Sequence, residues 1–172
     1  MPKPPQDLTN DARSRHELVK LLSGRNAHMT LADATADFPI EHINSRPPNV
    51  PYTFWHLIEH IRIAQADILD FIINPGYEAR DWPAGYWPGV DAETDEAGWR
   101  NTLDAYEEDM NRLADIVEDP ASDLFAELPH APGYTIYREI MVVADHTAYH
   151  TGELGILRQV MNLWPQAASG VL

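Results

Sequence analysis

The chain has 172 residues, 44% of them hydrophobic, no cysteine, and a net charge of −15 from 27 acidic and 12 basic residues. One domain with a sizeable core is expected at this length. The charge argues against nucleic acid and against an anionic membrane surface, and the missing thiols exclude disulfides, thiolate metal ligands and a cysteine nucleophile. No apolar run approaches the ~20 residues of a membrane span. The N-terminal stretch MPKPPQDLTNDARSRHELVK lacks the apolar core of a signal peptide. A soluble, cytoplasmic protein is expected.

Residues 1–6 carry three prolines and read as a frayed tail. Asp7 or Thr9 can cap a first helix running to about Gly24, with Leu8, Ala12, Leu18, Leu21 and Leu22 on its apolar side. Residues 25–52 form a long connection, broken by Pro39, Pro47, Pro48 and Pro51, with a short helix over Thr30 to Phe38. Such a connection shapes a site mouth or an oligomer contact, or simply covers one end of the fold.

Thr53 is the expected N-cap of a second long helix, TFWHLIEHIRIAQADILDFI. Its seam is Phe54, Leu57, Ile61, Ala64, Ile68 and Phe71. His60 flanks that seam; His56 points elsewhere and is expected at the rim or surface. Residues 74–95 form a second long connection, in which Trp82, Tyr86 and Trp87 of WPAGYWP either pack over the end of the fold or wall a pocket.

A third long helix is predicted from about Glu93 to Val117, with Trp99, Leu103, Tyr106, Met110, Leu113 and Val117 as its seam and Glu107, Glu108 and Asp109 mainly solvated. Asp119-Pro120 ends it, and a loop marked by Pro129, Pro132 and Gly133 follows. The last helix spans Thr135 to Leu163, and the tail after Gln166 is weakly structured. Its seam runs through Ile136, Ile140, Val143, Thr147, His150, Leu154, Leu157 and Met161, at alternating spacings of four and three. No strand is evident. Four amphipathic helices around one core predict an all-α four-helix bundle, and the two long connections leave its helix order open.

His60, His146 and His150 are the constellation that stands out. His146 and His150 sit four apart, on one helical face, and His60 lies on a helix that can neighbour theirs. Three neutral imidazoles with an open fourth position suit zinc, nickel or iron(II). Against this, an HxxxH pair recurs by chance, and a lone buried histidine is commonly a hydrogen-bonded core residue. Three such rings without partners would each carry a desolvation cost. The metal reading requires His60 within about 8 Å of the other pair, since each metal–ligand bond is only about 2 Å. Metal-bound histidine usually passes its other N–H to a carboxylate or carbonyl. Glu153, three residues after His150, is the best-placed carboxylate, as orienter, base or fourth ligand; Glu59 and Asp145 face solvent or a neighbouring helix.

Taken together, FWHLIEHIRIAQADILDFI, WPAGYWP and ADHTAYHTGELGILRQV resemble the DinB superfamily of bacterial metal-binding four-helix bundles, over about Thr53 to Val160. The family pattern of one histidine in the second helix and an HxxxH pair in the last maps onto His60, His146 and His150. Glu153 stands where a glutamine often follows the glycine. The resemblance implies an up-down-down-up bundle, a divalent metal on three histidines plus water, and a homodimer. Some members are thiol S-transferases using a low-molecular-weight thiol such as bacillithiol or mycothiol. That implies a metal-dependent transfer of thiol to an electrophilic small molecule. The alternatives are a metal-binding ligand or interaction protein without turnover, and a metal-dependent hydrolase.

Overall fold

Short oxygen-bearing side chains set where the helices begin. The structure, a computed structural model, describes residues 9–24 and 26–165. Helix α1 (Asn10–Leu22) follows Thr9, whose side chain accepts from the Ala12 N–H. Helix α2 (Leu31–Thr35) opens on a capping box made by Thr30 and Asp33. Thr53 caps α3 (Phe54–Ile73), Asp95 caps α4 (Glu96–Glu118) and Thr135 caps α5 (Ile136–Val160), each satisfying one amide that has no partner within the helix. The expected proline-rich tail over residues 1–6, Asp7, Leu8 and the tail after Gln166 lie outside the described residues.

The chain is predominantly helical. Helix α3 packs against α4 and α5, α1 also packs against α4 and α5, and α2 lies on α5. Two expectations need correcting. A small antiparallel hairpin pairs β1 (Glu127–Leu128) with β2 (Ala131–Thr135) where no strand was expected. It is too short to display the alternation of a half-buried strand. Helix α4 begins at Glu96 rather than near Glu93, because Asn44 exchanges two hydrogen bonds with the Thr94 backbone and holds that segment extended.

Two apolar clusters form the core. One gathers Phe38, Phe54, Leu57, Ile58, Ile61, Trp99 and Leu154. The other gathers Leu18, Leu22, Leu69, Ile72, Leu113, Val117, Ile140 and Val143. Residues 31–43 of the first long connection pack onto the core, since Leu31, Ala34, Phe38 and Ile43 belong to the first cluster. Along α3 and α5 the clusters are separated by a polar layer. It contains His60 and Gln65 from one helix, and His146, Thr147, His150 and Thr151 from the other. Gln65 is 2% exposed and its Nε2 donates to the Tyr106 carbonyl at 3.0 Å. Burying polar groups here is expensive unless they are paired, so a layer of this kind calls for a use.

Candidate metal centre

The three predicted histidines meet in that layer. Their ligand nitrogens all lie within 4.8 Å of one another, with His60 buried and His146 and His150 half-buried. His60 Nε2 and His146 Nε2 are 3.1 Å apart. Bonds of about 2 Å to a tetrahedral ion place two ligand nitrogens roughly 3.3 Å apart, so from separations of at most 4.8 Å the group closes on one ion with a shift of at most about 1.5 Å shared between two side chains.

Hydrogen bonds behind two of the rings fix which nitrogen faces inward. His60 Nδ1 lies 2.8 Å from the Tyr86 carbonyl, which can only accept, so Nδ1 carries the proton and Nε2 presents its lone pair. His150 Nδ1 donates to Glu153 Oε2 at 2.7 Å, which sets the same tautomer. Glu153 Oε1 accepts from the Tyr52 hydroxyl. Both Glu153 oxygens are thus engaged, which makes Glu153 an orienter of His150; it is not part of the converging set of ligand atoms. Glu59 pairs with Arg62 on its own helix and faces the neighbouring helix α4, where it accepts from Thr102, and Asp145 is exposed. Three converging imidazoles, two of them (His60 and His150) with the outward proton committed to an acceptor, are the donor set a divalent transition metal takes.

Burial, with the neighbouring His150 and His60, pushes His146 down to about 4, and burial lowers His60 as well. Both rings therefore stay in the neutral form that a metal requires. The unfolded imidazole titrates near 6.5, so the unfolded chain takes up the His146 proton first. The stability linked to that ring is present above about pH 6.5 and is lost as pH falls towards 4. Metal-free protein is expected to melt lower at pH 5 than at pH 7, and the difference should shrink in His146→Gln. Thermal melts of both proteins at the two pH values check this.

The 74–95 connection covers the site. Trp87 stacks on His60 with ring centroids 3.9 Å apart and an interplanar angle of 3°, and also stacks against Tyr52 at 4.9 Å. Tyr86 donates its hydroxyl to Asp67 Oδ2 at 2.7 Å, which anchors to α3 the residue whose carbonyl orients His60. The same connection overturns the expectation for His56. That residue is 2% exposed, and its Nε2–H donates to the Ala92 carbonyl at 2.7 Å. The face of α3 that would have met water is roofed by a segment 36 residues away.

A cleft of about 510 Å³ opens over the histidines, walled by Ile68, Trp82, Tyr86, Trp87, Val142 and Tyr149. The WPAGYWP rings therefore wall a pocket. Another cleft, of about 430 Å³ between α4, α5 and residues 22–36, touches none of the three histidines. Sequence reasoning missed Tyr52 and the Tyr86 carbonyl. Backbone acceptors carry no residue-type signal, and Tyr52 lies 101 residues from its partner Glu153. Among the described residues no helix is long and apolar enough to cross a membrane. No family model, curated protein or solved structure matches this chain.

Proposed function

We propose that this chain is a DinB-like metal-dependent thiol S-transferase acting on electrophilic small molecules. One observation carries the reading. Three imidazoles converge at the foot of an aromatic cleft, two of them turned with Nε2 inward by hydrogen bonds behind the ring, in a chain without a cysteine of its own. In this proposal the four long helices form an up-down-down-up bundle, and the protein works as a cytoplasmic homodimer. The pairings of α1 and α3 with α4 and α5 are compatible with such a bundle.

His60, His146 and His150 would hold zinc, nickel or iron(II). The ion would supply an open position that lowers the pKa of an incoming thiol towards neutrality. The chain's own residues orient and enclose. Glu153, itself held by Tyr52, keeps His150 turned with Nε2 inward. The Tyr86 carbonyl does the same for His60. The walls formed by Trp82, Trp87 and Tyr149 displace water from the space where sulfur meets carbon. The sulfur–carbon bond forms as the carbon–leaving-group bond breaks. The leaving group departs with that electron pair, and the thiol proton passes to solvent.

The test incubates zinc-, nickel- or iron(II)-loaded protein with a bacillithiol- or mycothiol-type thiol and an electrophile such as 1-chloro-2,4-dinitrobenzene. Conjugation above the uncatalysed rate, lost in His150→Ala, is the expected result. Product formed without thiol would make water the nucleophile and the protein a hydrolase. A tightly held ion with no turnover across thiols and electrophiles would leave a binding protein instead.

A further inference from the structure

We propose that the cleft over the three histidines takes an uncharged, planar aromatic molecule, and that Trp82 is its stacking platform. The inference rests on the reading above in placing the chemistry at the foot of this cleft, and it names the class of substrate.

The volume of about 510 Å³ lies within the range of small-molecule sites. Ring faces dominate the walls, but they are not equally free. Trp87 is already stacked against His60 and Tyr52. Tyr86 is held by its hydroxyl on Asp67 and lies edge-on to Trp82, with centroids 5.5 Å apart at 62°. Trp82 itself is 76% exposed. An edge-on contact covers at most one face of the indole, and Trp82 lines the cleft. Tyr149, 72% exposed, stands on the same rim from α5. Large rings left this open around a concavity are costly in water and are covered when a flat apolar molecule lies between them.

Charge narrows the class further. Among the described residues no lysine or arginine lines the cleft, and the one carboxylate in its lining is Asp67. That carboxylate is 8% exposed in its residue and accepts the hydroxyls of Tyr77 and Tyr86, while Arg80 Nε stands 3.3 Å from its other oxygen. Asp67 is therefore committed to holding the connection and has little left to offer a ligand. A charged group on the distal part of a substrate, away from the histidines, would be stripped of water without a partner.

The experiment is calorimetric titration of the full-length, zinc-treated protein with three probes: naphthalene-2-carboxamide, its fully saturated decalin counterpart, and 6-carbamoylnaphthalene-2-carboxylate. The first is expected to bind, with the saturated and the charged probes each weaker by about fivefold or more. Trp82→Ala should weaken the naphthamide by roughly three- to tenfold and leave the decalin probe nearly unchanged, with Trp82→Phe recovering most of the loss. Equal affinity for all three probes, no binding of the naphthamide, or a Trp82→Ala variant that binds as wild type would overturn the proposal. Zinc content of the same samples separates the two readings. Zinc held without probe selectivity removes the platform alone, and probe binding without zinc removes the metal centre alone.

Discussion

Protein purified from metal-replete cells is expected to carry about one divalent ion per chain, and His60→Ala, His146→Ala and His150→Ala to carry essentially none. Each ring supplies one nitrogen to a group whose members lie within 4.8 Å of one another. Two remaining imidazoles on helices that no longer close around the ion make a poor site. Glu153→Ala should keep all three ligands yet weaken binding by roughly 10- to 100-fold, the usual effect of freeing a ligand ring from its carboxylate. Glu153→Gln should fall between, because an amide oxygen can still accept the His150 Nδ1–H. Elemental analysis settles stoichiometry, and competition with a chromogenic chelator gives relative affinities. Metal at a thousand times its Kd should also stabilise the fold by about 4 kcal/mol, raising the melting temperature of the wild type but of none of the alanine variants. A wild type that takes up no ion, or three alanine variants that all retain it, would remove the centre.

The parts of this site that could be read from the sequence are those encoded in helical spacing. His146 and His150 announce themselves by sitting four apart, and His60 by its place beside a seam that ends up buried at Leu57 and Ile61. Thr53 and Thr135 cap the two helices that carry them, as their hydroxyls before apolar runs suggest. What could not be read depends on segments distant in the chain. His56 is buried because Ala92 lies over it, and no local pattern encodes that roof. The apolar face of α3 also drifts, so that Leu69 and Ile72 are buried where Ile68 and Phe71 stay half-covered. The connection leaving that helix returns to cover its outer side, which blurs the stripe that periodicity alone would define. Arg158 escaped notice for a related reason: a single arginine near the end of a helix reads as solvated charge.

Arg158 is instead fully buried, and Arg158→Met is expected to destabilise the protein by roughly 1–3 kcal/mol, the cost of leaving a buried acceptor without its donor. Its Nη1 donates to the carbonyls of Ala34 at 2.7 Å and Ala36 at 3.0 Å, and its Nη2 to those of Asp37 at 3.5 Å and Leu163 at 3.0 Å. The guanidinium lies 3.9 Å from the Trp164 ring and 5.0 Å from that of Phe38. One planar group thus ties the turn after α2 to the end of α5, where Asp37 and Asn162 adopt positive φ of 50° and 55°. Methionine fills much of the volume but leaves the buried Ala34 carbonyl, and the partly buried carbonyls of Ala36, Asp37 and Leu163, without that donor. Lysine keeps the charge but offers no rigid fork to reach acceptors on both sides, so Arg158→Lys should lose less than methionine but still a clear amount. Urea denaturation with a shared m-value gives both differences. The clamp lies beyond His150 on α5 and contacts none of the three histidines, so the folded fraction of each variant should still bind metal as wild type does. A variant as stable as wild type would mean that the four carbonyls find other donors once the guanidinium is gone.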